Sequence, residues 1–219
     1  MYFEPGGIYH IYNQGNNRQQ IFFERENYLF FVRKIKDYVT PYGNILAWCL
    51  MPNHFHLMLE VINVEIIPIS VNSVGVTKSR PDTEILPSNP DTKILGSQKP
   101  RPLNNSIGIM LRSYTRAVNN QENRSGNLFR EETKSICLNE INGIASNWFT
   151  MFGATFLNVQ IPEYQYPQVC FDYIHANPIK SKLVEKIEDW EFSSFPDLKG
   201  FRESNLANVK RVKELGLIV

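Results

Sequence analysis

The order in which two hydrophobic periodicities alternate limits this chain more than any other feature. Ile8 to Asn13 (IYHIYN) is rich in β-branched and aromatic residues and lies between Gly6-Gly7 and Gly15-Asn16-Asn17, the signature of a short strand between turns. Tyr28, Phe31, Val32, Ile35, Tyr38 and Val39 then repeat at helical spacing, and Pro41 and Gly43 stop that helix. Ile45 to Leu50 and Asn53 to Val61 read as two further strands, divided by Met51-Pro52 because proline cannot donate into a ladder. A second helix is expected from Ser106, where Ile107, Met110, Leu111, Tyr114, Ala117 and Val118 repeat the first helix's spacing, and Ser135 to Leu138 reads as a fourth strand. The order β-α-β-β-α-β predicts an α+β fold of ferredoxin-like type, an antiparallel sheet with helices on one face.

Two segments interrupt or extend that core. Residues 62–104 hold six prolines and no aromatic side chain, and PDTEIL (Pro81 to Leu86) recurs as PDTKIL (Pro90 to Leu95), so they read as an insertion. Residues 139–164 are a second excursion, followed by helical segments that include Gln168 to Ala176 and a charged helix near Asn205 to Glu214. The expected organisation is therefore a core over 1–138, interrupted at 62–104, with 139–219 as a helical extension packed on it in the same domain. A length of 219 residues with 42% hydrophobic and 12% aromatic side chains supports one substantial core. No stretch approaches the roughly 20 apolar residues of a membrane span, and no cationic start precedes an apolar run, so the expected location is cytoplasmic. Cys49, Cys137 and Cys170 form no CxxC pair, which argues against a disulfide scaffold or a cysteine-rich zinc module.

His54-Phe55-His56 is the strongest chemical signal. On a strand, residues 54, 56, 58 and 60 share one face, so two imidazoles project side by side, roughly 6–7 Å apart at the backbone, and can hold one divalent ion. A hydrogen-bonded core histidine beside a surface one is the competing reading of the same pattern. Tyr114 is the second candidate, although it also sits in the apolar stripe of its own helix. That helix carries Arg112 and Arg116, and residues 101–130 hold five arginines against the single acid Glu122, which suits phosphate contact as well as an ordinary solvated face. The net charge of +1, from 23 basic and 22 acidic residues, gives no hint of it. A tyrosine phenolate can attack a phosphodiester and hold the cut strand covalently, so rejoining needs no nucleotide, and the chain has no GxxxxGK[ST] loop. A phenol with pKa near 10 needs a metal ion to polarise the phosphate, which gives His54 and His56 their role.

The blocks YHIYNQGNNRQQIF, AWCLMPNHFHLMLEV, LRSYTRAVNN, GNLFR, YIHANPIKSKLV and DWEFSSFPD, in this order, resemble the single-tyrosine HUH (histidine, hydrophobe, histidine) transposases, in particular the REP-associated branch. The resemblance implies a metal-dependent endonuclease and strand transferase that cleaves single-stranded DNA at hairpins or repeated palindromes through a 5′-phosphotyrosine. It places His54 and His56 as ligands of Mg2+ or Mn2+ and Tyr114 as nucleophile. It also implies an amide or carboxyl ligand just beyond the tyrosine on the same helix. The position four residues on is Val118, and the nearest amide, Asn119, lies about 140° around the helix. Asn16, Asn17 and Arg18 after the first strand, together with Arg112, Arg116 and Arg130, are the expected DNA contacts; His175 and Asn177 read as structural, and Asn53 as a turn residue or a support for an imidazole. Both a monomer and a homodimer fit the resemblance. Two other functions remain open on the sequence: a protein of the same fold that binds DNA hairpins without cutting them, and an HxH hydrolase of small phosphodiesters.

Overall fold

The computed structural model describes residues 1–68, 99–139, 148–151, 154–157, 165–203 and 206–219, the last two short strands by their backbone alone. The PDTEIL and PDTKIL repeats lie outside the described residues. In chain order the elements are β1 (Ile8–Gln14), α1 (Arg25–Tyr38), β2 (Gly43–Met51), β3 (His54–Val61), β4 (Glu65–Ile66), β5 (Arg101–Pro102), α2 (Leu103–Gln121), β6 (Lys134–Cys137), β7 (Trp148–Met151), β8 (Ala154–Leu157), α3 (Gln165–Lys180), α4 (Phe195–Leu198) and α5 (Val209–Glu214). Four strands form one sheet in the order β2-β3-β1-β6, with every neighbouring pair antiparallel. This is the expected α+β, ferredoxin-like arrangement.

Alternation along β3 sorts the core into two layers. Phe55, Leu57, Leu59 and Val61 face α1 and α2, where they meet Phe31, Ile35, Ile107, Met110 and Tyr114. Met58 on the other face joins Ile8, Cys49, Cys170, Phe171 and Ile174, so α3 covers the side that α1 and α2 leave bare. Full burial of each such side chain contributes roughly 1.5–3 kcal/mol, which makes α3 a structural half of the molecule. The free edge of β2 is closed by the segment after α3: Leu50 N–H donates to Phe192 O at 2.8 Å and Ser194 N–H to Trp48 O at 2.9 Å.

Local chemistry fixes the elements that carry the site. Helix α1 starts at a capping box in which Glu24 accepts from the helix and Asn27 Oδ1 accepts from Glu24 N–H at 3.2 Å. Helix α3 runs four residues beyond its expected end at Ala176, because the N–H that Pro178 lacks falls in the last turn, where only one intrahelical bond is forfeited. Lys182, in the left-handed conformation at φ 55°, turns the chain away after it, and Leu183 N–H caps Pro178 O at 2.9 Å. That extra turn brings Asn177 and Lys180 onto the same helix as Tyr173.

Candidate functional site

His54 and His56 lie where the strand pattern puts them, on the α3 face of β3, with ring centroids 4.9 Å apart and planes at 85°. His54 sits at the strand's start, where Asn53 Oδ1 bonds its Nδ1 at 2.6 Å. His56 is buried, and its Nδ1 is 2.9 Å from Nε2 of a third histidine, His10, on the neighbouring strand β1. His56 Nε2 is buried without any hydrogen-bond partner, which is costly unless something else meets it. Burial pulls His54 below the ordinary imidazole range, and burial with the neighbouring His10 and His54 pulls His56 well below it. Burial takes His10 down to about 4. At neutral pH all three rings are uncharged, the state in which an imidazole nitrogen offers a lone pair.

The structure does not bring Tyr114 to these histidines. Its side chain is fully buried in the α1–α2 layer, ringed by Phe22, Phe31 and Phe129, and its hydroxyl donates to Ile21 O at 2.7 Å. The sheet stands between it and the histidine pair, and burial raises its pKa far above the ordinary phenol. The stripe that marked Tyr114 is a packing stripe. Asn119 is displaced with it: its Nδ2 donates to Gly126 O at 2.9 Å, closing the end of α2. Arg112 and Arg116 are exposed on that same helix, again with the sheet between them and the histidines.

Two other tyrosines lie against the pair: Tyr12 on β1, opposite His56 with ring centroids 6.0 Å apart, and Tyr173, on α3, the nearer of the two to His56. The Tyr173 ring lies edge-on to His56 at 5.4 Å between centroids and to His10 at 6.1 Å, and it is half-buried. Four residues on, on the same helical face, is Asn177, read from sequence as structural. Its side chain is buried, its Nδ2 donates to the backbone O of Tyr173 at 2.8 Å, and it lies close enough to His54 and to the Tyr173 hydroxyl to favour the charged form of each. One turn further along this face, Lys180 Nζ lies 4.9 Å over the Tyr173 ring. Burial raises the Tyr173 pKa, and the Asn177 side chain works against that shift. The signal that distinguishes the two tyrosines is present in the sequence: position i+4 is Val118 after Tyr114 and Asn177 after Tyr173.

Two imidazoles and an amide oxygen form a donor set suited to a hard-to-intermediate divalent ion such as Mg2+ or Mn2+, and the orphaned His56 Nε2 fits that use. Among the described residues no group of three His, Cys, Asp or Glu side chains could hold a metal; Asn177 would add an amide oxygen to the two imidazoles.

Asn16, Asn17 and Arg18 form an exposed loop at the same end of the sheet, since Gln14 pairs with His54 across β1 and β3. Asn17 and Arg18 both take positive φ, 51° and 59°, a strained conformation held by ties to the turn before His54. Gly15 N–H donates to Asn53 O at 2.8 Å, Asn53 Nδ2 to Arg18 O at 3.3 Å and Ile21 N–H to Pro52 O at 2.8 Å. A Cβ on Gly15 would collide with the carbonyl of Gln19, so the loop requires glycine there. Arg130, also exposed, joins this end through its N–H to Gln14 O at 2.9 Å.

Sheet order, the two covered faces and the placement of α3 define a four-stranded antiparallel α+β protein of ferredoxin-like type. The particular likeness is to a solved structure of a REP-associated tyrosine transposase bound to a REP hairpin, with a TM-score of 0.50 and 15% identity, over 91% of this chain and 83% of that one. No family model and no curated protein matches the chain. No helix among the described residues is long and apolar enough to cross a membrane.

Proposed function

We propose that the protein is a metal-dependent DNA nicking and strand-transfer enzyme in which Tyr173 is the nucleophile and His54, His56 and Asn177 hold Mg2+ or Mn2+. The observation that carries this reading is the convergence on one sheet face of a half-buried tyrosine, two neutral imidazoles and a buried amide beside both kinds of side chain. The ion, when bound, supplies Lewis-acid polarisation of the scissile phosphate. Tyr173 Oη forms a bond to phosphorus and the bond from phosphorus to the 3′ oxygen breaks, leaving a 5′-phosphotyrosine and a 3′-hydroxyl; the phenolic proton leaves through water and the departing oxygen is protonated in turn. Lys180, over the Tyr173 ring, places a positive charge beside the developing phenolate and the phosphate. A single-stranded or hairpin DNA substrate is supported by the neighbour's bound REP hairpin and by the loop of Asn16, Asn17 and Arg18, with Arg130, beside the histidines.

The non-cleaving alternative drew its support from the missing ligand at Val118; with Tyr173 as nucleophile, Asn177 occupies that position and the support lapses. A labelled hairpin oligonucleotide incubated with Mn2+ tests the assignment. The wild type should form a covalent protein–DNA adduct that Tyr173→Phe abolishes and Tyr114→Phe retains; an adduct that survives Tyr173→Phe sinks it.

A further inference from the structure

We propose that His10 is a positioning residue that selects the metal-binding tautomer of His56; the role rests on the metal reading above but not on DNA cleavage. His10 is buried on β1, its ring stacked on His56 at 5.0 Å between centroids with planes 28° apart, and on its other neighbour Tyr12 at 4.8 Å. A single hydrogen bond, 2.9 Å from His10 Nε2 to His56 Nδ1, links the two rings.

That bond contains one proton, which resides on one nitrogen or the other. When His10 Nε2 carries it, the neutral His56 has its own proton on Nε2, and the buried, unpartnered Nε2 presents a hydrogen where a lone pair is needed. When His56 Nδ1 carries it, His10 Nε2 accepts, and His56 Nε2 is free to bind a cation. An acceptor at the position His10 fills therefore favours ligation by holding the proton on His56 Nδ1. Metal-bound imidazoles as a rule donate their second N–H to such an acceptor, which fixes ring orientation and raises ligand basicity. Strand pairing explains how the chain supplies it: Met58 stands opposite His10 and His56 opposite Tyr12, so His10 lies diagonally from His56 on the same face.

The test compares Mn2+ affinity, read by electron paramagnetic resonance of the free ion, in wild type, His10→Leu and His10→Gln, with circular dichroism and thermal melting to establish folding. His10→Leu should weaken Mn2+ binding about 10- to 100-fold in a folded protein, and His10→Gln, whose amide oxygen accepts, should recover most of it. Long-range proton–nitrogen NMR on the Mg2+-loaded wild type should show His56 protonated at Nδ1. Unchanged affinity in folded His10→Leu, or a proton on His56 Nε2 in the loaded protein, overturns the role. A wild type that binds no more Mn2+ than the His54→Ala, His56→Ala double variant overturns the metal reading itself and this role with it.

Discussion

Tyr114 and Tyr173 carry the same phenol in opposite surroundings, and their substitution by phenylalanine should separate stability from chemistry. Tyr114→Phe deletes the hydroxyl that satisfies the Ile21 carbonyl, so it should cost about 1–2 kcal/mol and lower the melting temperature by a few degrees while leaving adduct formation in place. Tyr173→Phe should do the reverse, leaving the melt within about 0.5 kcal/mol of wild type and removing the adduct. The histidine pair was legible because a strand's period of two admits only one arrangement for His54 and His56. The tyrosine was not, since an apolar stripe and a basic helix describe Tyr114 as well as they describe a catalytic helix. Burial separates the two cases, and burial depends on which sheet face each helix covers. His10 was illegible for a related reason: its partner lies 46 residues away on another strand.

At the scale of the element, α3 is the catalytic helix of the proposed reaction, and its face can be tested position by position. Asn177→Asp keeps an oxygen donor and should retain Mn2+ binding, whereas Asn177→Leu should lose it, read by the same free-ion titration. Lys180→Met should slow adduct formation about 10- to 100-fold, the worth of one charged hydrogen bond to the phosphate, with Mn2+ affinity unchanged. In the proposed reading the loop after β1 serves binding instead: Arg18→Ala and Arg130→Ala should each weaken hairpin binding for all sequences alike and reduce the salt dependence by about one ion, measured by fluorescence anisotropy across a salt series. Sequence periodicity located β1, α1, β2, β3 and β6 closely. It ended α3 too early, at Ala176, because Asn177-Pro178 reads as a stop, and the missed turn is the one that holds Asn177, the proposed metal amide, and Lys180.

Across the whole molecule, a second clamp ties the chain's end to the sheet. Arg211 on α5 forks onto Glu60 of β3, its Nε 2.9 Å from Oε2 and its Nη2 2.7 Å from Oε1, with Asn44 Nδ2 donating to the same carboxylate at 2.9 Å. The Arg211 bonds, followed by that of Asn44, hold the Glu60 carboxyl below its usual range despite burial. Its folded pKa is lowered, so the folded state binds fewer protons than the unfolded chain. The stability it contributes is complete above the unfolded pKa of about 4.5 and is lost as pH falls through the folded value. Urea midpoints should show Glu60→Gln weaker than wild type at pH 7, with the gap closing as the pH is taken toward 3.

The helix that carries Tyr173 also roofs the second core layer, through Cys170, Phe171 and Ile174 against Met58 and Cys49. Chemistry and folding are therefore inseparable along this gene. A frameshift or stop before residue 165 strips the cover from an apolar sheet face and yields a chain for the proteases, not a shortened folded product. If Tyr173 is the nucleophile, a silent form that keeps its fold is reached by point substitution at that half-buried position, where a single codon removes the hydroxyl and leaves the roof in place.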